Sequence, residues 1–277
     1  MNTMTRRDFL KVAGVSTATA GLMMAGLPTV DAYAPYGDLR MGIQSYSLRH
    51  FSFEEALKRT NELGLKHIEL FSGHLDHNTA TPQQIKDAKS RMSDLDITPD
   101  AYGVSPFSRD EGADRKIFDF GAELGLISLS ADPTKSAFDT LDKLVDEYKI
   151  PIAIHNHGPN HHWGKPEVIL DAIKDHHKLI GLCADTGHFL RADVDPIKAI
   201  KILRGRVFGL HVKDFVSEHK EVIAGDGKLD IKALVKELKK QKFKGTCSIE
   251  YENNPEDPME DIRKGMQNVA NAVAAVG

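Results

Sequence analysis

The chain has 277 residues, and its 36 Lys and Arg against 40 Asp and Glu give a formal net charge of −4. That balance excludes the basic surface expected of a nucleic-acid binder. Hydrophobic residues make up 41% and charged residues 27%, as in ordinary soluble globular proteins, and a chain this long buries a core without covalent staples. Histidine stands out: there are 13, many of them close together.

The N-terminal Thr5-Arg6-Arg7-Asp8-Phe9-Leu10-Lys11 resembles the twin-arginine export signal, S/T-R-R-x-F-L-K. A weakly apolar stretch follows over residues 12–27, and Ala32-Tyr33-Ala34 offers an A-x-A cleavage site before Pro35. The competing reading is an amphipathic helix with a chance arginine pair. The stretch is short and rich in Gly, Ser and Thr, a poor membrane span. The resemblance implies export of a folded protein to the periplasm or another extracytoplasmic space. It divides the chain into a signal (1–34) and a catalytic domain (35–277).

From residue 40 onward, short apolar runs alternate with helical periodicity. Strands are predicted at 41–48, 67–71, 97–104, 127–131, 152–156, 180–184, 207–212 and 247–251. Helices are predicted at 53–63, 82–95, 116–124, 137–148, 166–176, 196–203, 231–241 and 258–276. Ser52, Thr81 and Asp195 are candidate N-caps, the last two followed by Pro, and Gly64 and Gly125 end helices. Strict βα alternation implies parallel strands with helical crossovers, and eight such units close into a single (βα)8 TIM barrel of the α/β class. An open doubly wound sheet would carry a Gly-rich phosphate loop after the first strand, where this chain has Gln44-Ser45-Tyr46-Ser47. Cys183 and Cys247 fall on the sixth and eighth runs. Strands two apart lie about 9–10 Å from each other, whereas a disulfide needs Cα atoms within about 7 Å, so two buried free thiols are expected.

The active face of a barrel lies at the carboxyl ends of its strands. There the sequence places Glu69, Asp132, His155-Asn156-His157, Asp185-Thr186-Gly187-His188, His211 with Lys213 and Asp214, and Glu250 with Glu252. Singly, a strand-end Asp is often a helix cap and a strand His a hydrogen-bonded core residue. Together, imidazoles and carboxylates from four consecutive strands form an unpaired charge cluster unless they hold a borderline divalent ion. Lys213 shares a face with His211 and suits a substrate hydroxyl or oxyanion, or a salt bridge to Glu250 or Asp185. His188 suits a substrate hydroxyl, and Glu69 suits substrate or the orientation of Lys213. His161-His162-Trp163 reads as a lid with Trp163 as a sugar-stacking platform, or as a solvated His-rich loop.

Residues 40–275 resemble the sugar phosphate isomerase/epimerase family of xylose isomerase-like barrels, which includes tagatose 3-epimerase, inosose dehydratase and, more distantly, endonuclease IV. The resemblance rests on Gly42-Ile43-Gln44, Ile68-Glu69-Leu70, Asp185-Thr186-Gly187-His188, Leu210-His211-Val212-Lys213-Asp214, Gly225-Asp226-Gly227 and Ser248-Ile249-Glu250-Tyr251-Glu252. It implies one divalent ion, Mn²⁺ ahead of Mg²⁺, Co²⁺ or Zn²⁺, held by four side chains. Asp185, His211 and Glu250 take three of the places. The epimerases have Glu in the fourth. Here His155 aligns with that position, with His157 on the same strand face as the alternative. Of the epimerases' two metal-bound carboxylates only Glu250 remains, so the resemblance points toward inosose dehydratase and the enzymes that cleave 3-keto-glycosides by elimination. It implies α-proton abstraction from a sugar, keto-sugar or cyclitol, with Glu250, His157 and Lys213 catalytic and Glu69, His188, Glu252 and Trp163 binding substrate.

The competing functions are an endonuclease IV-like metal hydrolase, which needs more metal ligands and a basic groove, and a non-catalytic periplasmic sugar-binding barrel. The expected partners are a small sugar or glycoside and the twin-arginine translocation machinery, with a homo-oligomer left open and nucleic acid excluded. Replacing Arg6 and Arg7 with Lys should retain a folded precursor in the cytoplasm. Fractionation checks this, and unchanged delivery across the membrane would remove the segment 5–11 as the signal.

Overall fold

The computed structural model describes residues 34–277, and the expected export signal lies outside the described residues. Eight parallel strands close into one barrel: β1 (Arg40–Gln44), β2 (His67–Leu70), β3 (Thr98–Phe107), β4 (Ser128–Pro133), β5 (Ile152–His155), β6 (Ile180–Asp185), β7 (Val207–Val212) and β10 (Thr246–Ile249), which pairs back onto β1. Barrel strands are covered on both faces and so are apolar almost throughout. β5 and β6 are buried at every position. Each fully buried Ile of β5, Ile152 and Ile154, contributes about 1.5–3 kcal/mol relative to exposure.

The helices outside the barrel are α1 (Phe53–Glu62), α2 (Pro82–Asp94), α3 (Glu111–Leu124), α4 (Phe138–Tyr148), α5 (Pro166–Ile173), α6 (Thr186–Arg191), α7 (Pro196–Ile202), α8 (Ile231–Gln241) and α9 (Met259–Val276). Ser52 and Thr81 close capping boxes with Glu55 and Gln84, and Asp195 caps α7. Among the described residues no helix is long and apolar enough to cross a membrane. Both cysteines are buried free thiols, and β7 lies between their strands.

Three features depart from the sequence reading. Helix α3 starts five residues before the expected 116, because the Asp110 side chain accepts from the amides of Gly112 and Ala113. The loop after β6 winds into α6, capped by Asp185 itself. After β7 the chain makes an antiparallel hairpin, β8 (Asp214–Ser217) and β9 (Lys220–Val222).

Asp214 organises that hairpin. Its buried carboxylate accepts from the amides of Phe215 (2.8 Å), Gly225 (2.9 Å), Gly227 (2.9 Å) and Leu229 (3.0 Å). A side chain on Gly227 would collide with the carboxylate, and Gly225 has a φ of +94°, where a Cβ is strained. Asp214→Ala would strand buried donors at a cost on the order of 3 kcal/mol, a fall in Tm of roughly 6–12 °C for a domain of this size. Thermal denaturation checks this, and an unchanged Tm would remove Asp214 as the organiser.

Candidate metal centre

Strand register sets the site. β6 places Asp185 opposite His211 on β7, and β10 places Ser248 opposite the same His211, with Glu250 just past the strand end. His155 ends β5. The side chains of His155, Asp185, His211 and Glu250 each bring one ligand atom to within 4.8 Å of the others, and all four residues are buried. His155 Nε2 is 3.1 Å from His211 Nδ1 and 3.5 Å from Asp185 Oδ2. His211 Nδ1 is 3.1 Å from Glu250 Oε2 and 3.9 Å from Asp185 Oδ2. Around a cation with bonds of about 2.0–2.2 Å, tetrahedral ligand atoms lie roughly 3.3–3.6 Å apart, so these separations suit one ion.

The donor chemistry fits as well. Asp185 Oδ2 and Glu250 Oε2 are buried and, apart from the imidazole nitrogens of the quartet itself, have no hydrogen-bond partner among the described residues. Burial opposes the charge of Asp185, but His188, His155 and Lys213 outweigh it and hold the carboxyl well below its usual range. Burial likewise opposes the charge of Glu250, and Lys213 and His211 hold it down. The result is two anions facing two imidazole nitrogens.

Beneath the quartet, His211 Nε2 lies 2.9 Å from Glu69 Oε2, and the Ser248 hydroxyl donates to the same oxygen at 3.2 Å. A carboxylate that accepts the Nε2–H hydrogen bond keeps the proton on Nε2, so Nδ1 is the nitrogen that would turn to a cation. Glu69 is 2% exposed. It lies against His211 and is not among the residues that line the cavity.

The motif after β6 has a local reason at each position. The Asp185 Oδ1 accepts the His188 amide at 2.6 Å and so caps α6. The Thr186 hydroxyl donates to the Lys213 carbonyl at 2.6 Å and accepts the Lys213 amide at 3.0 Å, tying α6 to β7. A Cβ on Gly187 would run into the Lys213 side chain. From β5, the Asn156 amide group exchanges two 2.9 Å hydrogen bonds with the Asp185 backbone.

Above the quartet lies a cavity of about 380 Å³. His155, His157, His188, Glu250 and Glu252 line it, together with Tyr46, Phe71 and Val104. His157 lies outside the quartet, its ring 4.7 Å from that of His155. Burial, and then the neighbouring His155, lower the His157 pKa to about 3, and burial lowers that of His188 to about 4. Both rings are therefore neutral near pH 7. Lys213 is 2% exposed and sits 3.6 Å from Glu250 Oε2 and in contact with Glu252. Burial works against its charge, but Glu250, Asp185 and Glu252 keep it protonated.

Sequence reasoning missed Glu221. This β9 carboxylate accepts the Glu252 amide at 3.0 and 3.2 Å, and burial raises its pKa to about 7. A three-residue strand after an unrecognised turn gave no periodic signal. Trp163 is a correction: it is fully buried, donates to the Pro133 carbonyl at 3.0 Å and meets Phe138 edge-on. It cannot stack on a sugar at the mouth. Tyr46, 38% exposed and packed edge-to-face on Phe71, is the aromatic surface that lines the cavity. His161 and His162 instead flank Asp132, at 3.5 and 3.2 Å.

A family model described as a xylose isomerase-like TIM barrel matches residues 130–271, and a model of the twin-arginine translocation pathway signal sequence matches residues 3–23. Among solved structures, an uncharacterised protein from Parabacteroides distasonis is 28% identical, with a TM-score of 0.68 over 84% of this chain and 98% of its own. IolI with a bound zinc atom is 18% identical, with a TM-score of 0.68 over 86% of this chain and 98% of its own. YcjR of E. coli, a 3-keto-D-glucoside 4-epimerase, is 16% identical, with a TM-score of 0.68 over 84% and 99%. At these identities the last two share the fold. No curated protein sequence matches the chain.

The geometry separates the two strand-5 histidines. His155→Ala should lose a stoichiometric divalent ion, whereas His157→Ala should keep it. Glu69→Gln should weaken metal affinity by roughly 10–100-fold, because it disturbs the His211 tautomer without touching a ligand atom. Titration calorimetry with Mn²⁺ or Zn²⁺ measures both, and metal retained in His155→Ala but lost in His157→Ala would reverse the assignment.

Proposed function

The chain belongs to the xylose isomerase-like TIM barrel family, and on that premise we propose that it is an exported, divalent-metal-dependent enzyme that takes the proton beside the ketone of a keto-sugar, cyclitol or 3-keto-glycoside. The observation that carries this reading is the convergence of two buried carboxylate oxygens and two imidazole nitrogens at the floor of a sugar-sized cavity. Residues 1–34 serve as the twin-arginine signal and 35–277 as the catalytic barrel. Delivery outside the cytoplasm favours a free sugar or glycoside over a phosphosugar.

A divalent ion held by His155, Asp185, His211 and Glu250, with Mn²⁺ first among the candidates, would supply Lewis-acid polarisation of the ketone and its neighbouring hydroxyl. Every other role falls to side chains. Glu250 faces both the quartet and the cavity and accepts the α-proton. Its low pKa makes it a weak base, adequate only because the polarised substrate is a stronger acid than a free ketone. Lys213 stays protonated between Glu250 and Glu252 and donates to developing negative charge on a substrate oxygen. Glu252 accepts from a substrate hydroxyl, and His188 binds another. Tyr46 takes the place intended for Trp163 as the surface for the apolar face of a sugar ring. His157, neutral and uncharged over the working range, is the second proton-transfer group.

His155 stands where the epimerases carry a second metal-bound carboxylate. Elimination from the deprotonated substrate, in which no second group hands a proton back to the same carbon, therefore fits this site better than a two-carboxylate C3 epimerisation.

The metal-loaded protein should convert at least one member of a panel of free keto-sugars, inososes and 3-keto-glycosides, read by mass spectrometry, and exchange the substrate α-proton in D₂O. Glu250→Gln should slow that exchange by a factor on the order of 10²–10⁴ while lowering metal affinity only moderately. Wild-type exchange in Glu250→Gln would move the base to another residue, and no conversion or exchange across the panel would sink the reading.

A further inference from the structure

Arg191, the last residue of α6, reaches the cavity-lining His188 from behind the cavity wall and is absent from the roles assigned above. Its Nη1 lies 3.0 Å from His188 Nδ1. A guanidinium carries only donors, so His188 Nδ1 must accept and carry no proton. In a neutral imidazole the other nitrogen then holds the hydrogen. With the proton on Nδ1 instead, two N–H groups would confront each other across 3.0 Å.

Arg191 is itself fixed. Its Nε donates to the Glu218 carbonyl at 2.9 Å, in the turn of the β8–β9 hairpin. The guanidinium carbon lies 5.4 Å from the centroid of the Phe215 ring on β8. From the loop after β5, Gly158 comes so near that an added Cβ would sit 3.4 Å from that carbon. On the other side, the amide of His188 is held at 2.6 Å by Asp185 Oδ1, which fixes the backbone that carries the ring. His188 Nε2 points inward, 4.0 Å from Asp185 Oδ2, and the residue lines the cavity.

We propose that Arg191 is a positioning residue that locks His188 in the tautomer protonated at Nε2, so that His188 presents a hydrogen-bond donor, and not a base, to a substrate oxygen beside Asp185. The assignment narrows the proton chemistry of the site. His188 is removed from the candidate bases, and its partner on the substrate is an oxygen that accepts: a carbonyl, or a hydroxyl that gains negative charge as the reaction proceeds. Because Arg191 is anchored on the hairpin, the hairpin also determines which proton His188 offers.

The tautomer claim stands without the proposed reaction, and only its effect on turnover rests on that reading. Spectra of the full mature chain with ¹⁵N-labelled histidine report each ring nitrogen, and His188 is assigned by the signals lost in His188→Gln. The wild type should show a bare Nδ1 and a protonated Nε2. In Arg191→Met the share of the Nδ1-protonated form should rise by roughly 10- to 100-fold, the loss expected for one charge-assisted hydrogen bond. Arg191→Ala provides the same comparison if the Met variant does not fold. Turnover should fall in Arg191→Met but change little when the same substitution is made in His188→Gln, whose amide keeps a donor regardless of Arg191. A wild-type His188 protonated at Nδ1, an unchanged tautomer ratio in the Arg191 variants, or equal losses from Arg191→Met in both backgrounds would each overturn the proposal.

Discussion

Everything at the mouth of this barrel answers to one difficulty: two carboxylates, Asp185 and Glu250, are held as anions where water scarcely reaches. Removing such groups from water costs several kcal/mol each unless opposite charge is near. Lys213 supplies one positive charge from full burial, but it is shared with Glu252. The nearby His157 and His188 add none, since burial keeps them neutral. Burial opposes the charge of His211, but Glu69 and Glu250 on either side raise its pKa well above the usual imidazole range, so a proton on its Nδ1 meets Glu250 where the quartet's ligand atoms converge, and a divalent cation there would take that proton's place.

Keeping those anions in place falls to the backbone between them. Asn156, Thr186 and Asp214 each spend their hydrogen-bonding capacity on main-chain groups of another segment. Glycines 187 and 227 allow those segments to touch. The glycine-containing motifs after β6 and after the hairpin therefore have separate purposes: one brings α6 against Lys213, and the other lets a loop wrap a carboxylate. Neither glycine contacts the convergence point directly, yet both set the distances around it.

The barrel was legible in the sequence because covered parallel strands must be apolar, and runs such as Ile152-Ala153-Ile154 show this without ambiguity. The quartet was legible because its members sit at equivalent strand ends. Period two could not separate His155 from His157, which share a face. Depth along the strand does so: His155 closes β5, and His157 lies two residues beyond it. The tie between Glu69 and His211 was not legible because the two are 142 positions apart and no local pattern links them. Trp163 was misread because an aromatic in a His-rich loop looks exposed until its burial against Phe138 is seen. Helix α6 is only six residues long and its cap doubles as a site residue, so its start signal had already been given another meaning.

The four converging side chains come from β5, β6, β7 and the end of β10, a contiguous arc, while Tyr46, Phe71 and Val104 come from β1, β2 and β3 or the segments that follow them. The ligand cluster and this apolar part of the cavity wall thus lie on different arcs of one ring. On the proposed reading, drift, recombination or laboratory grafting in the first three βα units would alter the shape offered to substrate while leaving the four ligand side chains in place. Glu69 is the exception. It sits on the first arc but contacts His211 on the other, so a transplanted first half that lacks this carboxylate would exchange more than the cavity wall.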